Sequence, residues 1–190
     1  MKKSQTKTNI PASVRQRLLN RARKEQRPLN ELLQYYAMER FLYRLSVSPY
    51  KDHFILKGAL MLQVWGSTDV RSTMDIDLLG KTSNKEAIIV SQIWDILQIR
   101  LDDDGLLFDT ASITSERITE DADYIKFCIL TCVCNNDGGF LFNSPTLFYI
   151  PTINSDSVTE SNCSLFRRNR YPVQKIGQLN KHLLFLFPYP

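Results

Sequence analysis

Two aspartates separated by one apolar residue, Asp75-Ile76-Asp77, are the residues of this 190-residue chain whose type and spacing best fit chemistry. Side chains alternate along a β-strand, so in a strand both carboxylates face the same side, with Cα atoms about 6.6 Å apart at ~3.3 Å per residue. Carboxylates at that spacing can bind one divalent ion or two neighbouring ions, and Mg²⁺ prefers such oxygen ligands. Because the pair would repel without a cation, the spacing favours metal-dependent phosphoryl chemistry; a solvent-exposed acidic strand is the alternative.

A possible phosphate-binding turn precedes this strand. The apolar run of residues 54–56 ends at Lys57-Gly58 and is followed by a second apolar stretch from Ala59, which predicts a strand, a glycine turn and a helix. Glycine at the start of a helix lets backbone N–H groups approach a phosphate. Gly66-Ser67 is a rival turn, but it leaves little room for a helix before Asp75, which favours Gly58. Arg71 lies just before the acidic strand, where it can neutralise a triphosphate.

The rest of the chain predicts the elements that must position these residues. Apolar spacing predicts helices over residues 12–26 and 31–45, with Asn30 as the N-cap of the second. Ser83 and Glu86 form a capping box for a third helix that ends before a solvated turn at residues 102–105. Further strands are predicted at 106–108, 111–114 and 125–133, and no regular pattern is evident beyond residue 135.

Composition and charge narrow the class of protein. With 43% hydrophobic and 23% charged residues, the chain is neither disordered nor a coiled coil. No apolar run approaches the roughly 20 residues that span a bilayer, and no signal peptide is evident, so we expect a soluble cytoplasmic protein without a membrane partner. Residues 1–45 carry 11 Lys/Arg and 3 Asp/Glu (11 − 3 = +8), whereas residues 46–190 carry 13 and 17 (13 − 17 = −4). This basic arm is either a surface for nucleic acid or a solvated helix face.

Two sequence runs resemble a known family. Residues 54–62, Phe-Ile-Leu-Lys-Gly-Ala-Leu-Met-Leu, and residues 71–78, Arg-Ser-Thr-Met-Asp-Ile-Asp-Leu, are similar to the AbiEii/AbiGii toxin family of nucleotidyltransferases. The flanking segments 14–18, 32–36 and 103–109 fit the same family, so the resemblance covers roughly residues 10–127. It implies a DNA-polymerase-β-like α/β (α+β) fold, with N-terminal helices followed by a mixed sheet flanked by helices.

The resemblance also implies an activity. Such a chain is the toxin of a type IV toxin–antitoxin or abortive-infection pair, has a cognate antitoxin encoded nearby, and transfers NMP from an NTP substrate to RNA, tRNA included. Asp75 and Asp77 would be the catalytic metal ligands for Mg²⁺ or Mn²⁺. The nucleotide-binding residues would be Gly58, Ala59, Lys57, Arg71 and Ser67.

The similarity fails towards the C-terminus. The family has a third acidic residue in a later strand and a lysine on a helix beyond it, and neither has a counterpart here; Asp137, for example, sits in a turn sequence. Composition also changes near Tyr124, after which all four cysteines occur. One hypothesis is a truncated gene or a shifted reading frame after about residue 127. The alternative function is then a catalytically inactive remnant that only binds nucleotide or a partner.

The predicted organisation has three parts. Residues 1–48 form an N-terminal helical region, residues 49–134 a nucleotidyltransferase-like core, and residues 135–190 an atypical, poorly ordered and incomplete C-terminal tail.

Overall fold

The computed structural model describes residues 9–64, 73–83, 85–101, 104–117, 124–134, 140–151 and 174–175. The helices of this part of the chain are α1 (Ile10–Glu25), α2 (Leu29–Val47), α3 (Gly58–Val64) and α4 (Glu86–Gln98). Its strands are β1 (Phe54–Lys57), β2 (Asp75–Gly80), β3 (Leu107–Arg117), β4 (Tyr124–Cys134), β5 (Phe140–Pro151) and β6 (Gln174–Lys175). The fold is therefore mixed α/β with N-terminal helices, as the sequence predicted. None of the helices in these ranges is long and apolar enough to cross a membrane.

The six strands form one mixed sheet in the order β3-β4-β5-β2-β1-β6. Neighbouring strands are antiparallel except for β2 and β5, which are parallel. β5 lies between β4 and β2, so the sheet continues beyond residue 134, where the predicted tail begins. The order of the other residues in that tail stays a prediction, because apart from β6 they lie outside the described residues after Pro151.

The main core packs α2 and α4 against the sheet. Apolar side chains of α2 share this core with those of β1, β2 and α4, so the predicted N-terminal region and the predicted core are not packed separately. Its fully buried members include Phe41, Phe54, Met38, Leu42, Leu45, Leu56, Met61, Ile76 and Leu78. A second cluster joins the apolar face of α1 (Val14, Leu18 and Ala22) to α2.

Two predicted helix caps are wrong. α2 begins at Leu29 with Pro28 as its N-cap, so Asn30 lies within the first turn. α4 has Lys85 as its N-cap and no side-chain capping bond. The carboxylate of Glu86 accepts a hydrogen bond from the hydroxyl of Ser115, so a tertiary contact replaces the predicted capping box.

A buried charged cluster joins α2 to the segment that leads into β3. Asp104, which is 3% exposed, accepts hydrogen bonds at Oδ2 from Arg40 Nε at 3.2 Å and Arg44 Nη1 at 2.7 Å. Its Oδ1 accepts from the Leu106 backbone N–H at 3.1 Å, and its backbone carbonyl accepts from the Tyr36 hydroxyl at 2.8 Å. The predicted solvated turn is therefore wrong at Asp104, because two guanidinium groups from α2 replace the water that a carboxylate needs.

Glu39 is a second buried carboxyl group on α2. It is 3% exposed, and its Oε2 atom has no hydrogen-bond partner among the described residues. Burial raises the pKa of Glu39 to about 8, although Arg40 and Arg21 act in the opposite direction. The side chain is therefore mainly protonated at neutral pH and adds little negative charge to the helical region.

Candidate active site

The two predicted carboxylates lie on one face of β2. Burial along the strand alternates as the sequence predicted: Asp75 and Asp77 are half-buried, whereas Ile76 and Leu78 are fully buried in the core. The apolar side chains fix the strand against the helices, so both aspartates point to the other side. This is the geometry that a shared cation requires, while their role as metal ligands stays a prediction.

A glycine lies against the second aspartate. In the antiparallel register of β1 and β2, Lys57 is opposite Asp77, and Gly58 follows with a φ of +74°. A Cβ atom at position 58 would overlap the Oδ2 atom of Asp77 and would lie 3.0 Å from its Cγ. Glycine is therefore required here both by the left-handed backbone and by the space that the carboxylate occupies. Ala59, the next residue of α3, is half-buried.

The electrostatics of this pair favour a bound cation. Burial raises the pKa of Asp77, with Lys57 lowering it and Asp75 raising it further. Burial also lowers the pKa of Lys57, although Asp77 counteracts this. Partial removal from water therefore disfavours the charged forms of both Asp77 and Lys57. A divalent cation would compensate the negative charges of Asp75 and Asp77 directly.

Helix α2 positions the start of β2. Gln34 Nε2 donates a hydrogen bond to the Met74 carbonyl at 3.0 Å, and the Tyr35 hydroxyl accepts one from the Thr73 N–H at 3.0 Å. Thr73 Oγ1 in turn accepts from the Asp75 N–H at 3.4 Å. No role is predicted from the sequence for Gln34, Tyr35 or Thr73, although each lies in a segment that carries the family resemblance.

The strand next to β2 supplies no further carboxylate. β5 runs parallel to β2, with Leu147 opposite Asp75 and Tyr149 opposite Asp77. Neither β5 nor β1, the strands on either side of β2, contains an Asp or Glu. Among the described residues no group of three His, Cys, Asp or Glu could bind a metal ion. The third acidic residue that the sequence lacked is thus not supplied by a neighbouring strand.

Two predicted nucleotide-binding residues cannot be compared with this geometry. Ser67 and Arg71 both lie outside the described residues, between α3 and β2. The structure therefore brings together Lys57, Gly58 and the two aspartates, and the roles of Ser67 and Arg71 stay predictions.

Gly58→Ala is expected to disturb the carboxylates as well as the fold. The left-handed backbone costs an alanine about 1–2 kcal/mol, and its Cβ would displace the Asp77 side chain. The family resemblance predicts that Mg²⁺ with NTP binds beside these carboxylates, and a ligand that binds only the folded state raises its melting temperature. We expect the apparent affinity for Mg·NTP, obtained from that rise, to be at least ~10-fold lower in Gly58→Ala than in the wild type. Melting curves with increasing Mg·NTP measure this.

Gly105→Ala is the matched control. Gly105 also has a positive φ, +68°, and its added Cβ would lie 2.9 Å from Pro11 Cα, away from the aspartates. The control should lose stability to a similar degree but keep the response to Mg·NTP. Equal responses of the two variants would contradict a ligand site beside Gly58.

A known protein family matches the segment of the chain that contains Gly58 and the two aspartates. The family model described as nucleotidyl transferase AbiEii toxin of type IV toxin–antitoxin systems matches residues 40–141, just over half of the chain. The match begins within α2 and continues to the start of β5, past the point near residue 127 where the resemblance was expected to end. No curated protein matches the chain. The match contains β1, the Gly58 turn and the aspartate pair, and this chain therefore belongs to the AbiEii family of nucleotidyl transferase toxins.

Proposed function

We propose that this chain is a metal-dependent nucleotidyltransferase toxin that transfers NMP from an NTP to a hydroxyl group of RNA, with tRNA as one such acceptor. The observation that carries the proposal is the half-buried pair of Asp75 and Asp77 beside the Cβ-free surface of Gly58, inside the segment that matches the family. A type IV system pairs a toxin with an antitoxin, so family membership implies a cognate antitoxin.

The residues on β2 fit Mg²⁺ or Mn²⁺. Asp75 and Asp77 would provide hard anionic oxygens from one face of a strand, and burial of Asp77 without full compensation favours a cation there. When bound, such a cation supplies positive charge to the triphosphate and to the pyrophosphate that leaves. Lys57 lies opposite Asp77 and would add a second positive charge on the same edge of the β1–β2 pair.

The proposed reaction is a displacement at the α-phosphorus of the NTP. A hydroxyl oxygen of the RNA forms the new P–O bond, the bond between the α-phosphorus and the bridging oxygen breaks, and pyrophosphate leaves; the hydroxyl proton passes to solvent. The backbone at Gly58 and Ala59 would bind the phosphates, and the Gln34 and Tyr35 contacts would fix the register of β2. Ser67 and Arg71 are proposed as further contacts to the nucleotide.

The test is incorporation of each α-labelled NTP into RNA by the full chain. We expect label in RNA with Mg²⁺ or Mn²⁺, none with a chelator, and recovery on adding excess metal. The Asp75→Ala variant, purified in parallel, controls for a contaminating enzyme. Label that survives this change, or no label with any NTP and any RNA, would contradict the proposal.

An inactive remnant is the second candidate, and one observation favours it: β1 and β5, which flank the aspartate strand, carry no carboxylate. Such a protein would still bind nucleotide between β2 and the Gly58 turn. Stabilisation by Mg·NTP that depends on Asp75 and Asp77, without label reaching RNA, would support the remnant over the enzyme.

A further inference from the structure

The sheet holds the two aspartates of β2 unequally. β1 pairs with β2 only from Asp77 to Gly80, whereas β5 pairs with it from Asp75 to Asp77. Asp77 therefore has a strand partner on both sides, and Asp75 has one on a single side among the described residues. Because a strand end with one neighbour opens more easily, the backbone at Asp75 needs a further contact if its carboxylate is to keep a fixed place.

Two hydroxyl groups supply that contact. The Asp75 backbone N–H donates a hydrogen bond to Thr73 Oγ1 at 3.4 Å, and the Thr73 backbone N–H donates one to the Tyr35 hydroxyl at 3.0 Å. Between them, the Met74 carbonyl accepts a hydrogen bond from Gln34 Nε2 at 3.0 Å. Each of these three successive residues thus has a backbone group bound by a side chain, and two of the three side chains belong to α2.

Tyr35 is a suitable anchor because its own ring is held in place. The side chain is 7% exposed and belongs to the main core. The guanidinium carbon of Arg27 lies 5.1 Å from the ring centroid, and Arg27 in turn contacts Glu31 at 2.6 Å. A hydroxyl group on a ring that packing fixes keeps one position, so the backbone that binds it is fixed as well.

We propose that Thr73 and Tyr35 are positioning residues that set the metal affinity of this site: Tyr35 orients Thr73, and Thr73 orients the backbone of Asp75. The inference rests on the metal site of the proposed function, and it goes beyond the register of β2 because it predicts a change in cation binding. Two carboxylates bind one cation only when their oxygens keep a suitable separation, and groups that orient metal ligands commonly contribute ~10- to 100-fold in affinity. In this role neither hydroxyl is itself a ligand.

The experiment measures Mn²⁺ binding without turnover. The full chain is titrated with MnCl₂ in the absence of NTP and RNA, and the free ion is followed by electron paramagnetic resonance. The test variants are Thr73→Val and Tyr35→Phe, which remove the two hydroxyl groups and keep most of the side-chain volume. Thr73→Ser keeps the hydroxyl of Thr73 and serves as the conservative variant.

Thr82→Val and Tyr36→Phe are the matched controls. Thr82 lies beyond the other end of β2, where its Oγ1 accepts a hydrogen bond from Gln92 Nε2 on α4 at 3.0 Å. Tyr36 is 3% exposed, and its hydroxyl donates a hydrogen bond to the Asp104 carbonyl at 2.8 Å. Each control therefore loses a hydroxyl hydrogen bond at a place away from the start of β2.

We expect Thr73→Val and Tyr35→Phe each to weaken Mn²⁺ binding by about 10-fold, and Thr73→Ser and both controls to stay within about two- to three-fold of the wild type. Because the two residues act in series, the double variant should lose no more than the larger single loss, whereas independent effects would multiply. Circular dichroism verifies folding, and if Thr73→Val loses structure, Thr73→Ala replaces it. Equal affinities in test and control variants, or losses that multiply in the double variant, would overturn the inference.

A second readout separates this inference from the proposed activity, since incorporation of labelled NTP into RNA is measured for the same proteins. Mn²⁺ binding that requires Asp75, Thr73 and Tyr35, without incorporation, would support this inference and refute only the proposed activity. Incorporation that requires Asp75, together with unchanged Mn²⁺ affinity in both test variants, would refute this inference alone. An absence of Mn²⁺ binding in the wild type would overturn the inference whatever the incorporation assay gives.

Discussion

Asp77→Asn is expected to lower NMP transfer to RNA by at least ~100-fold while leaving the metal-free protein as stable as the wild type or more so. Asparagine keeps the size of the side chain and its place opposite Lys57, but it removes the negative charge that a divalent cation requires. Because burial raises the pKa of Asp77, the folded protein disfavours the ionised carboxylate. Removing that charge should therefore raise the free energy of unfolding of the metal-free protein, as is common where a functional residue lowers stability.

The same raised pKa fixes the sign of the pH dependence. Between the ordinary pKa of Asp77 and its raised folded value, the folded state binds more protons than the unfolded state, so this group lowers the free energy of unfolding as pH rises. The free energy of unfolding of Asp77→Asn should therefore exceed that of the wild type at neutral pH, and the difference should vanish in acid, where Asp77 is protonated in both states. Urea unfolding of both proteins at neutral and at acid pH, with a chelator present, measures this difference.

Asp109→Asn is the control for Asp77→Asn. Asp109 is half-buried at the start of β3, where its Oδ1 accepts a hydrogen bond from Ala111 N–H at 3.0 Å, and it has no proposed role in transfer. This variant should retain activity. If Asp77→Asn instead lost activity and stability together, or lost neither, Asp77 would be a structural residue and the proposed metal site would be wrong.

The strands that form this site could be predicted from the sequence, because side chains along a strand alternate between its two faces with a period of two residues. Alternation around Ile76 was enough to place both carboxylates on one face, and the apolar run before Lys57 located β1. The approach of Gly58 to Asp77 could not be predicted, since it depends on the register between two strands that a helix separates.

β5 shows a second limit of sequence patterns. Its middle contains Asn143-Ser144-Pro145, residues typical of turns, and no strand is predicted from the sequence beyond residue 135. In the fold, these residues pair with β4, Leu130 lying opposite Pro145. Pairing with β4 along the whole strand, continued by pairing of residues 147–149 with β2, outweighs the local preference of residues 143–145 for turns. The family match, which reaches residue 141, likewise extends past the point where composition changes.

Asp104 shows a third limit of prediction from sequence, because the arginines that donate hydrogen bonds to it lie 60 and 64 residues earlier in the chain. A run of three aspartates before a glycine is typical of a solvated turn, and Arg40 and Arg44 are typical of a charged helix surface. At Asp104, Arg40 and Arg44 these interpretations are wrong for the same reason: the three side chains compensate one another only once the segment before β3 packs on α2. No local pattern contains that information.

Asp104→Ala is therefore expected to destabilise the protein by about 3–5 kcal/mol, a large fraction of the ~5–15 kcal/mol that holds a typical domain folded. The substitution leaves two guanidinium groups, each about 5% exposed, without their shared carboxylate. It also removes the acceptor of the Leu106 N–H. Asp52→Ala, at an exposed position, should change the free energy of unfolding by less than ~0.5 kcal/mol.

A triple variant tests whether the cost comes from the uncompensated charges rather than from the cavity. Arg40→Met, Arg44→Met and Asp104→Leu together remove all three charges and keep most of the buried volume. Replacing a complete buried ion cluster by apolar groups is often neutral or stabilising, whereas removing one partner is costly. We therefore expect the triple variant to be more stable than Asp104→Ala in urea unfolding. If the triple variant is less stable, the guanidinium groups stabilise the fold through contacts other than the one with Asp104. The candidates are the guanidinium carbon of Arg44, 5.0 Å from the centroid of the Phe108 ring, and the hydrogen bond that Arg44 Nε donates to the Ile99 carbonyl.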